Sequence, residues 1–331
     1  MKTVLKITGV FFLICAICVF IACPNAADGP DASGAGNGGI GGEASGGNEI
    51  IPPPGKNYTV EGVSFRMNDI NAVTNKTVGH GDEDNNKTHS ISLSAYRIAE
   101  TEVTQELWEK VMETNPSHFK GELFPPEEKE EQKKRPVEMV TWFDCIAFCN
   151  ELTKKTPELG AGECVYYSDK AFTTVYTKED AKNTKRLYQN INKKGFRLPT
   201  EAEWEWAAKG GKEDKWAGTN KKEKLKNYAW YWNDDGGDAN GQTHQVKKKA
   251  ANGYGLYDMN GNVWEWCWDY YKNPLPVSLP KDYTGPAFGG FGHVKRGGAW
   301  SSKAERSACA FRTYSLSEEQ NDLGLRIVCR P

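Results

Sequence analysis

The residues most able to do chemistry sit in one sixteen-residue stretch, Asn252-Gly-Tyr-Gly-Leu-Tyr-Asp-Met-Asn-Gly-Asn-Val-Trp-Glu-Trp-Cys267. Asp258, Asn262 and Glu265 stand three and four residues apart around a glycine turn. Oxygen ligands so placed can meet at a hard cation, with backbone carbonyls completing the shell. The simpler alternative is that they cap turn N–H groups. A second candidate is the carboxylate run Glu201, Glu203 and Glu205. Paired carboxylates can do acid–base work, but Thr200 and Glu203 already form a capping box, which accounts for Glu203. His80, Asp82 and His89 in a glycine-bearing polar stretch are a weak metal set, since such residues are usually just solvated. Cys145 and Cys149 have neither zinc-ribbon nor Cys-x2-Cys redox spacing. There is no Gly-x-Ser-x-Gly, phosphate-cradling loop or His-Glu-x-x-His.

These groups need elements to hold them. Val60, Val63 and Phe65 alternate loosely as a strand, and residues 91–98 read as another. Thr104 caps a helix whose Leu107, Trp108, Val111 and Met112 form one apolar face, with Val103 and Trp108 at staple spacing. Thr141 with Asp144 opens a second helix. Thr200 with Glu203 opens a third, which Gly210 and Gly211 end. A short strand is expected over 163–167, an insertion over 173–189, and loops over 71–89 and 313–322.

The chain has 331 residues and a net charge of −2, which gives no electrostatic footprint for nucleic acid. Residues 1–22 read as an export signal: Lys2 and Lys6, then an apolar run from Val10 to Ala22 that is short for a membrane span. Phe20-Ile-Ala-Cys23 resembles a loose bacterial lipobox, which makes Cys23 the lipidated residue. Residues 23–57 read as a Gly- and Pro-rich tether that cannot bury enough apolar surface to order itself. Its reach as a coil is roughly 30 Å. A domain over 58–331 follows. Beyond the signal and Cys23 six cysteines are left, and fifteen pairings are open to them. Buried free thiols are the alternative.

The stretch Gly255-Leu-Tyr-Asp-Met-Asn-Gly-Asn-Val-Trp-Glu-Trp266, with Gly195-Phe-Arg-Leu-Pro-Thr-Glu-Ala-Glu-Trp-Glu-Trp206, Arg296-Gly-Gly-Ala-Trp300 and Leu323-Gly-Leu-Arg326, resembles the formylglycine-generating-enzyme (sulfatase-modifying factor) domain. The resemblance runs from about Val63 to Cys329 and implies an α+β, C-type-lectin-like fold with much irregular structure. It also implies a structural calcium site made by the Asp258 side chain, the Gly261 and Val263 carbonyls and the Glu265 side chain. The family's other calcium site does not carry over, because Trp216-Ala-Gly-Thr replaces its Trp-Gly turn. By the same resemblance Cys149 pairs with Cys329, with Cys149–Cys164 the rival.

The family's oxidases use two cysteines after the Gly-Gly-Ser-Tyr motif, where soft thiolates take Cu(I). Here Ser302 stands at the first position, the segment to Arg312 is three residues shorter, and Cys309 lacks a neighbouring thiol. Neither copper nor oxidase chemistry is expected. The shorter segment resembles the variable proteins of diversity-generating retroelements, above all the treponemal lipoproteins of that class. That likeness places ligand-binding residues in a displayed segment at about 297–326: Trp300, Ser301, Ser302, Lys303, Arg306, Ala308, Ala310, Thr313, Tyr314, Ser315, Leu316, Glu319, Gln320 and Asn321. Aromatics mixed with adaptable polar groups suit such a surface. The expected protein is a monomeric lipoprotein of the outer membrane, exposed at the surface. Its ligand would be a protein or glycan on a host or neighbouring cell. The alternatives are a copper-dependent formylglycine-generating oxidoreductase and a calcium-dependent lectin.

Overall fold

The computed structural model describes residues 53–286 and 290–331. The signal, Cys23 and most of the tether lie outside the described residues. Strand β1 (Gly55–Val60) begins within the last residues of the expected tether and pairs antiparallel with β2 (Val63–Ile70). Next come β3 (Val73–Val78), β4 (His89–Leu93) and β5 (Tyr96–Ala99). β3 corrects the expectation of a loop over 71–89. Its outer residues are largely exposed and polar, so it carries no apolar alternation to read. The strand expected over 91–98 is split at Ser94, whose N–H and hydroxyl both donate to Asp282.

Helix α1 (Gln105–Met112) starts where Thr104 accepts from Leu107 N, with Val103 and Trp108 buried beside it. Helix α2 (Trp142–Lys155) starts at a full capping box of Thr141 and Asp144. The 163–167 strand is shorter than expected, β6 (Tyr166–Tyr167), and the insertion folds into α3 (Lys178–Lys182) and β7 (Tyr188–Gln189). Helix α4 (Glu201–Lys209) has the expected capping box and ends at Gly210 in the left-handed region. After the short α5 (Lys222–Leu225) come β8 (Trp264–Tyr270), β9 (His293–Arg296), β10 (Thr313–Ser315), β11 (Leu323–Gly324) and β12 (Val328–Cys329).

One sheet has the order β1-β2-β5-β12, so the chain's last strand lies beside its early ones. A second has the order β10-β9-β8-β11, with β11 parallel to β8. Two hairpin-like pairs, β3-β4 and β6-β7, complete a mixed α+β fold with much irregular backbone. The core is aromatic. Trp142, Trp204, Trp264 and Trp266 are buried, with Phe148 stacked on Trp108 at 4.8 Å. Among the described residues no helix is long and apolar enough to cross a membrane.

All six described cysteines are free and buried. The Cys149–Cys329 bond implied by the resemblance is therefore not formed, and nor is the rival Cys149–Cys164. Instead the Cys329 sulfur lies 3.9 Å from the Tyr58 hydroxyl, and the Cys164 thiol donates to Asn150 O at 3.6 Å. Burial pushes both thiols up, to about 11.

Candidate functional site

The second sheet and the turns that follow it hold the terminal segment. Its path is fixed by three buried arginines. Arg296 meets Glu205, Arg312 meets Glu201, and Arg326 meets Glu265. The first two carboxylates project from α4, Glu201 at its first residue and Glu205 one turn on. The third lies on β8, where Arg326 holds it through Nε and Nη2, while its other nitrogen donates to Ala99 O. Glu203, between the α4 pair, is bound by Arg197 at 2.7 Å through both terminal nitrogens. The three glutamates that invited an acid–base reading are thus each committed to a guanidinium, and Glu203 also caps its helix.

Between these fixed points the backbone turns tightly. Gly297 and Gly298 have φ of +98° and +76°, and a Cβ on Gly298 would lie 2.4 Å from Ser307 Oγ. Trp300 N donates to Asn262 O at 2.9 Å and its indole N–H to Asn321 O at 3.2 Å. This ties the start of the segment to its end. The ring packs edge-on to Phe119, whose N–H is held by Glu138. Trp232 N donates to Ser302 O at 3.0 Å, which brings a half-exposed indole against the segment near Lys303. Trp232 is outside the expected site. It closes the aromatic run Tyr228-Ala-Trp-Tyr-Trp232, which reads as core and gives no signal in sequence that its last member borders a distant segment.

Ser301, Lys303, Arg306, Tyr314, Leu316 and Glu319 are exposed. Trp300, Thr313, Gln320 and Asn321 are half-buried. Ser302, Ala308, Ala310 and Ser315 are buried, so they shape the segment from beneath. The displayed loop expected over 313–322 opens with strand β10, an edge strand paired with β9. Tyr314 and Leu316 are spaced to share one side of it, and Tyr314 lies 6.1 Å from exposed Phe291. Among the described residues the side chains of Lys303, Arg306 and Glu319 make no hydrogen bond or ion pair.

The family's copper position is a hydroxyl in a hydrogen bond. Ser302 Oγ accepts from Ala299 N at 3.0 Å. Cys309 is buried, and desolvation pushes its thiol up to about 12. A small pocket of about 50 Å³ borders it, lined also by Gly79, His80, Lys209 and Glu213, with no second cysteine among its described residues. A protonated, isolated thiol is a poor ligand or nucleophile. His80, Asp82 and His89 do not converge as one set. His80 faces Asp82 at 3.5 Å, whereas His89 Nδ1 meets Lys87 O. Among the described residues no three His, Cys, Asp or Glu side chains converge as a metal set.

The calcium position has a different character. Asp258 is buried in a left-handed turn with φ of +56°, and its Oδ2 accepts from Lys247 N at 2.8 Å. Its Oδ1 is buried without a partner. Burial raises its pKa to about 6. Glu102 and Glu265 lie within electrostatic reach and are also buried, and Arg326 is the guanidinium among them. Asn262, by contrast, is fully used: Oδ1 accepts from His244 N, and Nδ2 donates to Glu102. Asp258 thus leaves one buried carboxylate oxygen open to a hard cation, whereas both Glu265 oxygens are already taken by Arg326 and one also by the Trp204 indole N–H.

A family model described as the sulfatase-modifying factor enzyme 1-like domain matches residues 53–331. "Chaperone protein LppX" of Paenibacillus barcinonensis is 34% identical over 257 residues, which cover 72% of this chain and 81% of that protein. Formylglycine-generating enzyme of Mus musculus is 35% identical over 145 residues, 40% of this chain and 38% of the enzyme. Among solved structures, Treponema denticola variable protein 1 superposes with a TM-score of 0.74 at 47% identity, covering 84% of this chain and all of that one.

Proposed function

The chain belongs to the sulfatase-modifying factor enzyme 1-like domain family, and we propose that it is a non-catalytic binding protein that presents its terminal segment as the recognition face. One observation carries this. Three buried ion pairs fix the segment's backbone, while the side chains of Lys303, Arg306 and Glu319 between them are exposed and, among the described residues, free of hydrogen bonds and ion pairs. A backbone that is already fixed loses little entropy on binding, so only the displayed side chains remain to be ordered. The likeness to a treponemal variable protein supports diversification of these positions. Residues 1–22 would then be an export signal, Cys23 the lipid attachment and 23–57 the tether that places a monomeric domain outside the outer membrane. The ligand is a protein or glycan of another cell.

The test is capture of host-cell surface proteins and glycans by the full chain, compared with Lys303→Ala and Tyr314→Ala. Loss of capture in both variants, with folding retained, supports the face. Equal capture by all three proteins would place binding elsewhere. Comparing copies of the gene from related strains adds a second check, since differences should cluster at about 300–322.

A second activity has one observation in its favour, the partial match to formylglycine-generating enzyme. Ser302 and the isolated Cys309 argue against it. Copper and a cysteine-bearing sulfatase peptide should therefore give no aldehyde by mass. The relative called a chaperone suggests a third arm: refolding assays with the chain present, where no gain in yield is expected. For the cation site, a calcium ion at Asp258, Gly261, Val263 and Glu265 would be internal and structural, not a sugar contact.

A further inference from the structure

The recognition face has a floor that does not belong to the terminal segment. Lys295 lies on β9, opposite Thr313 of β10 and Trp266 of β8. Its side chain is half-buried, with Nζ 5.3 Å from the centre of the Trp264 ring. Nζ donates to Gln320 Oε1 at 2.7 Å. Gln320 is itself oriented, since its amide N–H donates to Ser315 Oγ at 3.1 Å. An ammonium has three donors, and no carboxylate among the described residues forms an ion pair with this one. Other lysines withdrawn from solvent are treated differently. Lys154, Lys209 and Lys249 each meet a carboxylate.

The nearest acid does not fill the gap. Asp322 lies within electrostatic reach, but its Oδ2 accepts from Ser301 Oγ at 2.9 Å. Arg306, also within reach, opposes it. Lys295 and Arg306 against Asp322 leave one net positive charge at the floor. Withdrawing a cation from water without a counter-charge is unfavourable. Burial accordingly lowers the Lys295 pKa.

We infer that Lys295, with Arg306 within electrostatic reach of it, forms a fixed subsite for a singly charged anionic group of the ligand, a carboxylate or a sulfate ester. A singly charged group neutralises that one net charge, whereas a dianion would leave an excess negative charge beside Asp322. The inference rests on the terminal segment being the binding face, and it names the ligand chemistry there. The subsite would be partly constant. Lys295 precedes the segment, so changes within 297–326 alter what surrounds the anion and leave the lysine in place.

The test is an NMR titration of the full chain carrying ¹³C-methylated lysines, with the Lys295 signal identified through Lys295→Arg. The probes are an aspartate-containing peptide amide, glucuronate, methyl sulfate and inorganic phosphate. Uptake should shift the Lys295 signal and raise its pKa by about 1, as an opposite charge at close range does. The exposed Lys303 signal should move far less. Arg306→Gln, an exposed change that spares folding, should weaken the response roughly tenfold. Response to the peptide, the sugar acid or the sulfate ester supports the subsite and identifies the source. Response to phosphate alone, to none of the probes, or equally at Lys303 and Lys295 overturns it. Small probes stand in for the ligand here, so that failure would leave the binding face itself untouched. Capture unaffected by Lys303→Ala and Tyr314→Ala would overturn the face instead.

Discussion

At the scale of single residues, the terminal segment divides into two populations. Arg326 makes bonds to Glu265, Ala99 O and Tyr257 O in a fully buried setting. Removing one partner of such a pair strands the other charge, so Arg326→Met should cost about 3–5 kcal/mol in urea denaturation. Arg326→Lys should recover only part of this, because an ammonium cannot reproduce the fork. Lys303→Ala and Glu319→Ala, on exposed side chains without hydrogen bonds or ion pairs among the described residues, should change stability by less than about 0.5 kcal/mol. Costs of several kcal/mol for these would contradict the division. The sequence placed Arg326 in a family motif without showing its partner. Glu201 and Glu205 read only as part of a carboxylate run open to acid–base work, because nothing local in Glu-Ala-Glu-Trp-Glu announces arginines about a hundred positions away. Lys295 was missed for a similar reason. A lysine in a strand reads as a solvated edge until its missing counter-charge is seen in three dimensions.

At the scale of elements, local chemistry was legible where it was self-contained. Thr104, Thr141 and Thr200 begin their helices as their hydroxyls require. β3 and β10 were not legible, since their pairing comes from β4 and β9 and not from their own alternation. The turn before β8 is equally dependent on a distant neighbour. Gly261 has φ of +79°, and a Cβ there would lie 1.9 Å from Trp230 O. Gly261→Ala should therefore destabilise the fold by several kcal/mol, roughly the sum of backbone strain and a forced shift. An unchanged melting temperature would refute that. In β9, His293 stacks on Trp142 at 3.7 Å and on Tyr270 at 4.2 Å, and burial lowers its pKa to about 4. The unfolded chain takes a proton on this ring near pH 6.5, while the fold refuses it until about pH 4. The unfolded state thus binds more protons in that window. Stability should fall as pH drops from about 6.5 to about 4, by up to about 3 kcal/mol from this group. His293→Gln should flatten that part of the profile, and a slope unchanged by the substitution would assign it to other groups.

At the scale of the whole molecule, the early and late strands share a sheet, so the domain closes only when its last residues are in place. The family resemblance read from scattered motifs gave this fold, because those motifs are the turns and buried pairs on which the closure depends. It did not give the cysteines, which are free thiols in the described structure. The interior around Asp258, Glu102 and Glu265 contains more acid than base. Calcium should raise the melting temperature of the full chain, more at pH 7.5 than at pH 5, where Asp258 with its pKa of about 6 is protonated. Melting curves that coincide with calcium and with chelator at both values would remove the cation from the account.

The three arginine–glutamate pairs have a consequence for how such a chain can change. Mutations falling between Arg296, Arg312 and Arg326 on outward-facing positions are nearly silent for folding, so they can accumulate in any combination without a rescue elsewhere. A lineage carrying this domain can vary that surface while the fold beneath it stays the same. A laboratory could randomise the same positions to obtain binders from one parent protein.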